Sequence, residues 1–241
     1  MYTNTSVHFE KFRYLKGIPL IFDTIPPMYM DKVYDKVNFI KCKKRQQFMM
    51  EGAPVNGLFF IVSGKAKVLK TGIFGKEQIL RFVGEGEMIG YRGFATHDTY
   101  GIGAVALEDS LLCHFSNSLL EELFQQVPKL TYAFMLFYAQ ELNRSENKVK
   151  ALAQMTVREK VIDAFLYLHR KFGINPKGFL KLKLSRREIA DFAGTTDEQV
   201  IRVISSLKKE GKLGTLGKQI SIIDIAELKK EISEHNYFLD S

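Results

Sequence analysis

The sequence predicts an α+β chain, and three observations carry that prediction. Short β-branched and aromatic runs, broken by frequent glycines, fill most of the first half. A long stretch with apolar residues three and four apart follows. The last third holds two short, capped helix patterns and then a hairpin pattern turned by glycine. At 241 residues and 46% apolar content, the chain can bury two modest cores.

In order, residues 1–32 read as an N-terminal helical segment and 33–127 as a β-barrel domain. Runs such as FFIVSGKAKVLK, QILRFV and AVALEDSLLCHF, between glycines at 52, 57, 64, 72, 75, 84, 86, 90, 93, 101 and 103, suit a small jelly roll. A short helix around Leu119–Gln126 precedes Pro128, which fits the first turn of a longer helix. On that helix Met135, Tyr138, Leu142, Ser145, Val149 and Leu152 form a heptad seam suited to a twin helix. Leu130, Phe134 and Phe137 form a second stripe suited to the barrel. Residues 128–155 are therefore read as a dimerisation helix and hinge, and 156–241 as a separate domain.

That last domain opens with a capping box, Thr156 with Glu159, on a helix through Phe172. Ser185 with Glu188 repeats the box on a helix through about Phe192. Ala190 is small enough for a close crossing, and Gly194 supplies the turn. Thr196 with Gln199 gives a further capping signal. The helix it opens is expected to bury Val200, Val203, Ile204 and Leu207 and to stop near Gly211. KKEGKLGTLGKQISIID reads as a two-stranded wing with Gly214 and Gly217 around its turn, and Asp224 as the cap of a last helix. A winged helix-turn-helix places one helix in a DNA major groove, so the expected partner is double-stranded DNA.

Charge agrees with that partner without identifying it. The formal charge is +8, and between Lys177 and Lys218 ten Lys or Arg face five Asp or Glu, a surplus of +5. No apolar run reaches the ~20 residues that cross a bilayer, and the start lacks a signal-peptide core, so a cytoplasmic protein without a membrane partner is expected. Cys42 and Cys113 are too few for a disulfide framework or a cysteine-ligated iron–sulfur cluster, and suit inert core thiols. His97 and His114 are the histidines considered as haem ligands, against the commoner structural role. No nucleophile–base set, metal cluster or phosphate loop emerges, so an enzyme is not expected. The alternative to a DNA-binding regulator is a small-molecule-binding module that works through protein contacts.

A β-domain with NGLFFIVSGKAKV, GEGEMIGYRGF and ALEDSLLCHF, then a seam helix, then this helix-turn-helix resembles the CRP/FNR family of bacterial transcription factors, named for the cyclic-AMP receptor protein and the fumarate–nitrate reduction regulator. The resemblance implies a cyclic-nucleotide-binding-like sensor barrel, a parallel homodimer, a palindromic DNA site and RNA polymerase as a partner. It implies base reading by Glu198 and Arg202, which i, i+4 spacing places on one helix face. Ser185, Arg186, Arg187, Thr195, Thr196, Lys208 and Lys218 become the expected phosphate neighbours. Asp197 stands where one branch has a basic base reader. For the effector pocket the resemblance points to Gly86, Glu87, Ser145 and the Tyr100–Gly101 position, with Arg92 as the nearby cation. The family's cyclic-nucleotide binders carry Arg-Ser where Tyr100–Gly101 stands, so a cyclic nucleotide is disfavoured and no cofactor is assigned.

Overall fold

The computed structural model describes residues 11–94 and 98–233, and the chain divides into two compact units between Ala139 and Gln140. In the first unit, α1 (its described part is 11–16), α2 (Pro19–Phe22) and α3 (Pro27–Lys36) precede the barrel. The barrel starts at Asn38, not at Val33 as the sequence suggested. Val33 and Tyr34 are apolar because they bury one face of α3.

Among the described residues, eight strands of the first unit form two antiparallel four-stranded sheets. β1 (Asn38–Cys42), β8 (Ser110–Ser116), β3 (Gly57–Ser63) and β6 (Met88–Ile89) lie side by side in one. β2 (Gln47–Met49), β7 (Gly103–Ala106), β4 (Ala66–Thr71) and β5 (Glu77–Val83) make the other. The run GLFFIVS is apolar without alternation because β3 is buried on both faces. Phe59 and Ile61 join one core with Val68, Ala104 and Leu112. Leu58 and Phe60 face a second core with Ile18, Ile21, Phe115 and Leu123. The same alternation on β8 sends Cys113 into the second core, whereas Cys42 lies in the first. The two thiols thus sit in different cores, and burial pushes Cys113 up to about 12.

After β8, the Ser116 hydroxyl accepts from the Leu119 N–H and caps α4 (Asn117–Gln126). The long helix α5 (Pro128–Gln154) then buries Leu130 and Phe134 in the second core, with Phe137 packed beside them. Glu122 on α4 accepts from Lys32 and Lys36 of α3, and these two ammonium groups hold its carboxyl down at about 2.

The second unit contains the end of α5, α6 (Val157–Phe172), α7 (Arg186–Ala193), α8 (Asp197–Lys209), the hairpin β9 (Leu213–Leu216) and β10 (Gln219–Ile222), and α9 (Ile225–Glu231). The Lys148 ammonium stands 4.1 Å from the Phe192 ring centre, joining α5 to α7. Arg158 at the start of α6 draws several elements together. Its guanidinium donates to Glu231 at 2.7 Å, to Glu210 at 2.6 Å and to Ser206 at 3.1 Å. Lys212, just before β9, donates to Glu231 at 2.6 Å. The helix that opens the domain is thereby tied to α8, to the segment leading into β9 and to α9.

Candidate nucleic-acid interface

Local chemistry builds the helix pair. The Ser185 hydroxyl accepts from the Glu188 N–H while the Glu188 carboxylate accepts from the Ser185 N–H, closing a capping box at the start of α7. Gly194 ends α7 in the left-handed region at φ 67°, ψ 45°, where a Cβ costs roughly 1–2 kcal/mol. Thr196 then caps α8 by accepting from the Gln199 N–H. Val200, Ile204 and Leu207 bury one side of α8, while Val203, expected beside them, is only half-buried.

The opposite side of α8 carries Glu198 and Arg202, both exposed. The Glu198 carboxyl is held below its ordinary range, first by its own backbone N–H and the Thr196 hydroxyl, then by the nearby Arg202 and Arg187 charges. A carboxylate in a first helical turn is favoured by the exposed N–H groups regardless of DNA. Arg202, in mid-helix, has no such reason to be there beyond its charge pairing with Glu198. Together they present five guanidinium donors and a carboxylate acceptor on one exposed helix face, the complement of a guanine and a cytosine edge.

The expected phosphate neighbours divide into two groups. Thr196, Lys208 and Lys218 are exposed, and Arg187 is exposed although its Nε lies 3.1 Å from the buried Asp191 carboxylate. Thr195 is corrected: it is buried, and its hydroxyl donates to the Gln199 side chain. The Ser185 hydroxyl is likewise closed into its capping box, donating to Glu188 at 2.9 Å. Arg186 leans across to the wing, with Nη2 3.5 Å from the Gly217 carbonyl and Nη1 buried without a hydrogen-bond partner among the described residues. Burial lowers its pKa. In the wing, Gly217 makes the turn at φ 58°. Gly214 does not. It lies inside β9 opposite Ser221, where a Cβ would come within 2.5 Å of the Ser221 hydroxyl.

On α5 the seam residues Met135, Leu142 and Val149 are 56%, 63% and 67% exposed. Leu152 is half-buried and Ser145 donates to the Glu141 carbonyl within its own helix. Tyr138 is already engaged: its hydroxyl donates to the Tyr91 carbonyl at 2.5 Å. Tyr132 and Leu136 extend the exposed stripe, and the spacing of Tyr132, three residues before Met135 and four before Leu136, was the signal available for them.

In the barrel, the effector residues are not arranged as the motif suggested. Glu87 closes its own turn, accepting from the Gly84 N–H at 2.7 Å, and β6 with Gly90 separates Gly86–Glu87 from the short turn at 91–94. Gly86 is a turn glycine at φ 79°. Tyr100 is buried, its hydroxyl donating to Asn56 Oδ1 at 2.7 Å and accepting from the Gly57 N–H at 3.2 Å, while Gly101 is exposed. Arg92 is exposed with its guanidinium 5.9 Å from the Tyr91 ring centre. The sequence reading missed Arg81, 4.9 Å from the same ring and donating to the Met88 carbonyl at 2.8 Å. The signal for it was the one cation of β5, set between the apolar Leu80 and Phe82. His114 packs on Phe59 with ring centres 4.7 Å apart, and burial lowers its pKa. His97 lies outside the described residues. Among the described residues, no group of three His, Cys, Asp or Glu side chains is placed to hold a metal ion, and no helix is long and apolar enough to cross a membrane.

Residues 39–127 match the cyclic nucleotide-binding domain family, and residues 159–231 match the Crp-like helix-turn-helix domain family. The transcriptional activator protein anr of Pseudomonas aeruginosa is 30% identical over 189 residues, covering 77% of each chain. The fumarate and nitrate reduction regulatory protein of Vibrio cholerae is 29% identical over 203 residues, 83% of this chain and 79% of its own. Among solved structures, FixK2 from Bradyrhizobium japonicum superposes with a TM-score of 0.72 at 25% identity, covering 80% of this chain and 96% of that one.

Proposed function

This chain belongs to the CRP/FNR family of DNA-binding transcription regulators, and we propose that it works as a cytoplasmic homodimer whose two α8 helices read the half-sites of a palindromic duplex. The observation that carries the reading is the Glu198–Arg202 face of α8, exposed directly opposite the buried Val200, Ile204 and Leu207. Arg202 can donate two hydrogen bonds to guanine O6 and N7, and Glu198 can accept from cytosine N4. Arg187, Thr196, Lys208 and Lys218 surround that face and neutralise or bond phosphates, which fixes register without reading sequence.

The exposed stripe of α5 supports the dimer, because Met135, Leu142 and Val149 leave a continuous apolar edge in water. A two-fold dimer presents its recognition helices to half-sites about 34–36 Å apart, one turn of B-DNA. RNA polymerase is the partner through which such a dimer acts on transcription. For the barrel a cyclic nucleotide is disfavoured, since a buried Tyr100 stands where the family's nucleotide binders carry Arg and Glu87 is engaged in its own turn. Binding of labelled duplexes at graded salt concentrations tests the reading. Affinity should fall linearly on a log–log scale, by about 0.9 per phosphate contacted. Equal, salt-insensitive affinity for every duplex would instead favour a module working through protein contacts.

A further inference from the structure

Glu141, Ser145, Lys148, Leu152 and, just past the helix end, Met155 make a stripe of α5 spaced three and four apart. The stripe is buried or half-buried, beside the exposed Leu142 and Val149. Toward the helix end it is apolar, and Ala151 and Met155 form a small core there. Lys148 interrupts it. The stem of a lysine fills such a place much as leucine would, but its ammonium then needs water or a substitute for it. Here the ammonium stands 4.1 Å from the centre of the Phe192 ring on α7. Phe192 is buried, and the Tyr167 ring of α6 lies 5.0 Å from it, so the ring has a fixed seat. Burial lowers the Lys148 pKa, while the Asp163 charge on α6 raises it and Lys160 lowers it again. A desolvated cation is drawn to an aromatic face more strongly than one in water. The end of α5, α6 and α7 thus meet at one charge.

We infer that Lys148 is a positioning residue: through Phe192 it fixes α7, and with it α8, on the end of α5, and so sets the half-site spacing that the dimer accepts. The inference rests on the dimeric DNA-reading role proposed above. α7 and α8 are joined at Gly194 and pack on each other, so they move as one piece. Leu142 and Val149, exposed for the dimer, lie on the same helix within two turns of Lys148. The separation of the two α8 helices therefore depends on how each helix pair is seated on its own α5. One extra base pair moves a half-site by about 3.4 Å and turns it by roughly 35° around the duplex. Apolar contacts have no direction, so a seat made of them alone tolerates sliding. An ammonium is a point charge that loses its partner when it leaves the ring face. It gives the seat one setting.

The test uses the full-length protein on inverted repeats of a half-site recovered by selection, and on that half-site alone. The repeats carry the optimal spacing or are one or two base pairs closer or farther. Wild type should favour one spacing. Lys148→Met keeps the stem and removes the charge, so its preference for that spacing should fall about tenfold, within reach of one desolvated cation–π contact. Its affinity for the single half-site should not change, because the α8 face is untouched. It should melt no lower than wild type, since replacing a buried charge by an apolar side chain of similar size is often neutral. Lys148→Arg, which keeps a cation over the ring, should keep the preference. Phe192→Leu should lose it, and should carry the test if Lys148→Met does not fold. Combining Lys148→Met with Phe192→Leu should cost no more than either alone. An unchanged preference in Lys148→Met, an equal loss in Lys148→Arg, or additive losses in the double variant would overturn the assignment. So would an equal loss on the single half-site, which would place the effect inside the DNA-binding fold. A wild type indifferent to spacing would overturn it and leave DNA binding intact. A wild type that binds no duplex would remove the DNA-reading role itself, and this inference with it.

Discussion

Arg202 and Lys208 sit six residues apart on one exposed helix and should fail in different ways. On the reading proposed above, Arg202→Ala removes a bidentate base contact, so specific binding should weaken by roughly 1–3 kcal/mol and preference should relax at one base pair per half-site. On the same reading, Lys208→Ala removes a phosphate contact, so consensus and scrambled duplexes should weaken alike, with the salt slope reduced by about one. Titrations of both duplexes at several salt concentrations check the pair. An unchanged consensus-to-scrambled ratio in Arg202→Ala, or a selective loss in Lys208→Ala, would exchange or remove these roles. Residue-scale features were readable where the chemistry is local. Ser185, Thr196, Thr156 and Asp224 each cap the helix that follows, because a cap needs only its next three residues. Thr195 and Gly214 were misread because their surroundings come from distant residues. Burial among packed neighbours removes Thr195 from solvent, and the strand opposite decides why position 214 lacks a Cβ.

At the scale of elements, the amphipathic period of α5 was plain, but a period alone does not say which stripe meets the barrel. The structure assigns Leu130, Phe134 and Phe137 to the barrel and leaves Met135, Leu142 and Val149 exposed. Leu142→Glu should therefore give monomers by sedimentation and lose tight palindrome binding, because each subunit then holds one half-site. A dimer unchanged by this substitution would reject the seam. The clamp around Arg158 was not readable, since it joins residues 48 to 73 positions apart. It makes an acid-sensitive prediction. Arg158 holds the Glu210 carboxyl at about 2, well below its ordinary 4.5, and with Lys212 it also lowers Glu231. Carboxyls shifted downward stabilise the fold while ionised, above their unfolded pKa, and that contribution disappears as pH falls through the folded value. The difference in melting temperature between wild type and Arg158→Met should be full above about pH 5 and shrink toward pH 2. A difference independent of pH would mean that the clamp works by packing alone.

For the whole molecule, the order of barrel, long helix and helix-turn-helix was readable, because glycine-punctuated strands and capped helices have distinct sequence textures. Two features were not. The barrel begins after α3, whose apolar face imitates a strand, and the effector motif placed on Glu87 is a turn cap. Both depend on which segments pack together. The occupied Tyr100 hydroxyl and the absence of a cation at its position predict that calorimetry with cyclic AMP or cyclic GMP shows no binding at micromolar concentrations. A buried cyclic phosphate without a partner costs several kcal/mol, against the ~8 kcal/mol of a micromolar complex. Micromolar heat that vanishes in Arg92→Ala would contradict this and name the substitute cation.

The central claim is that the exposed face of α8 reads a two-fold symmetric DNA site, and selection of random duplexes by the purified full-length protein tests it most directly. The account predicts enrichment of an inverted repeat with half-site centres one helical turn apart, each half-site holding a G·C pair whose enrichment is lost with Arg202→Ala. Recovery of unenriched sequence, or of a site that Arg202→Ala enriches equally well, would contradict it.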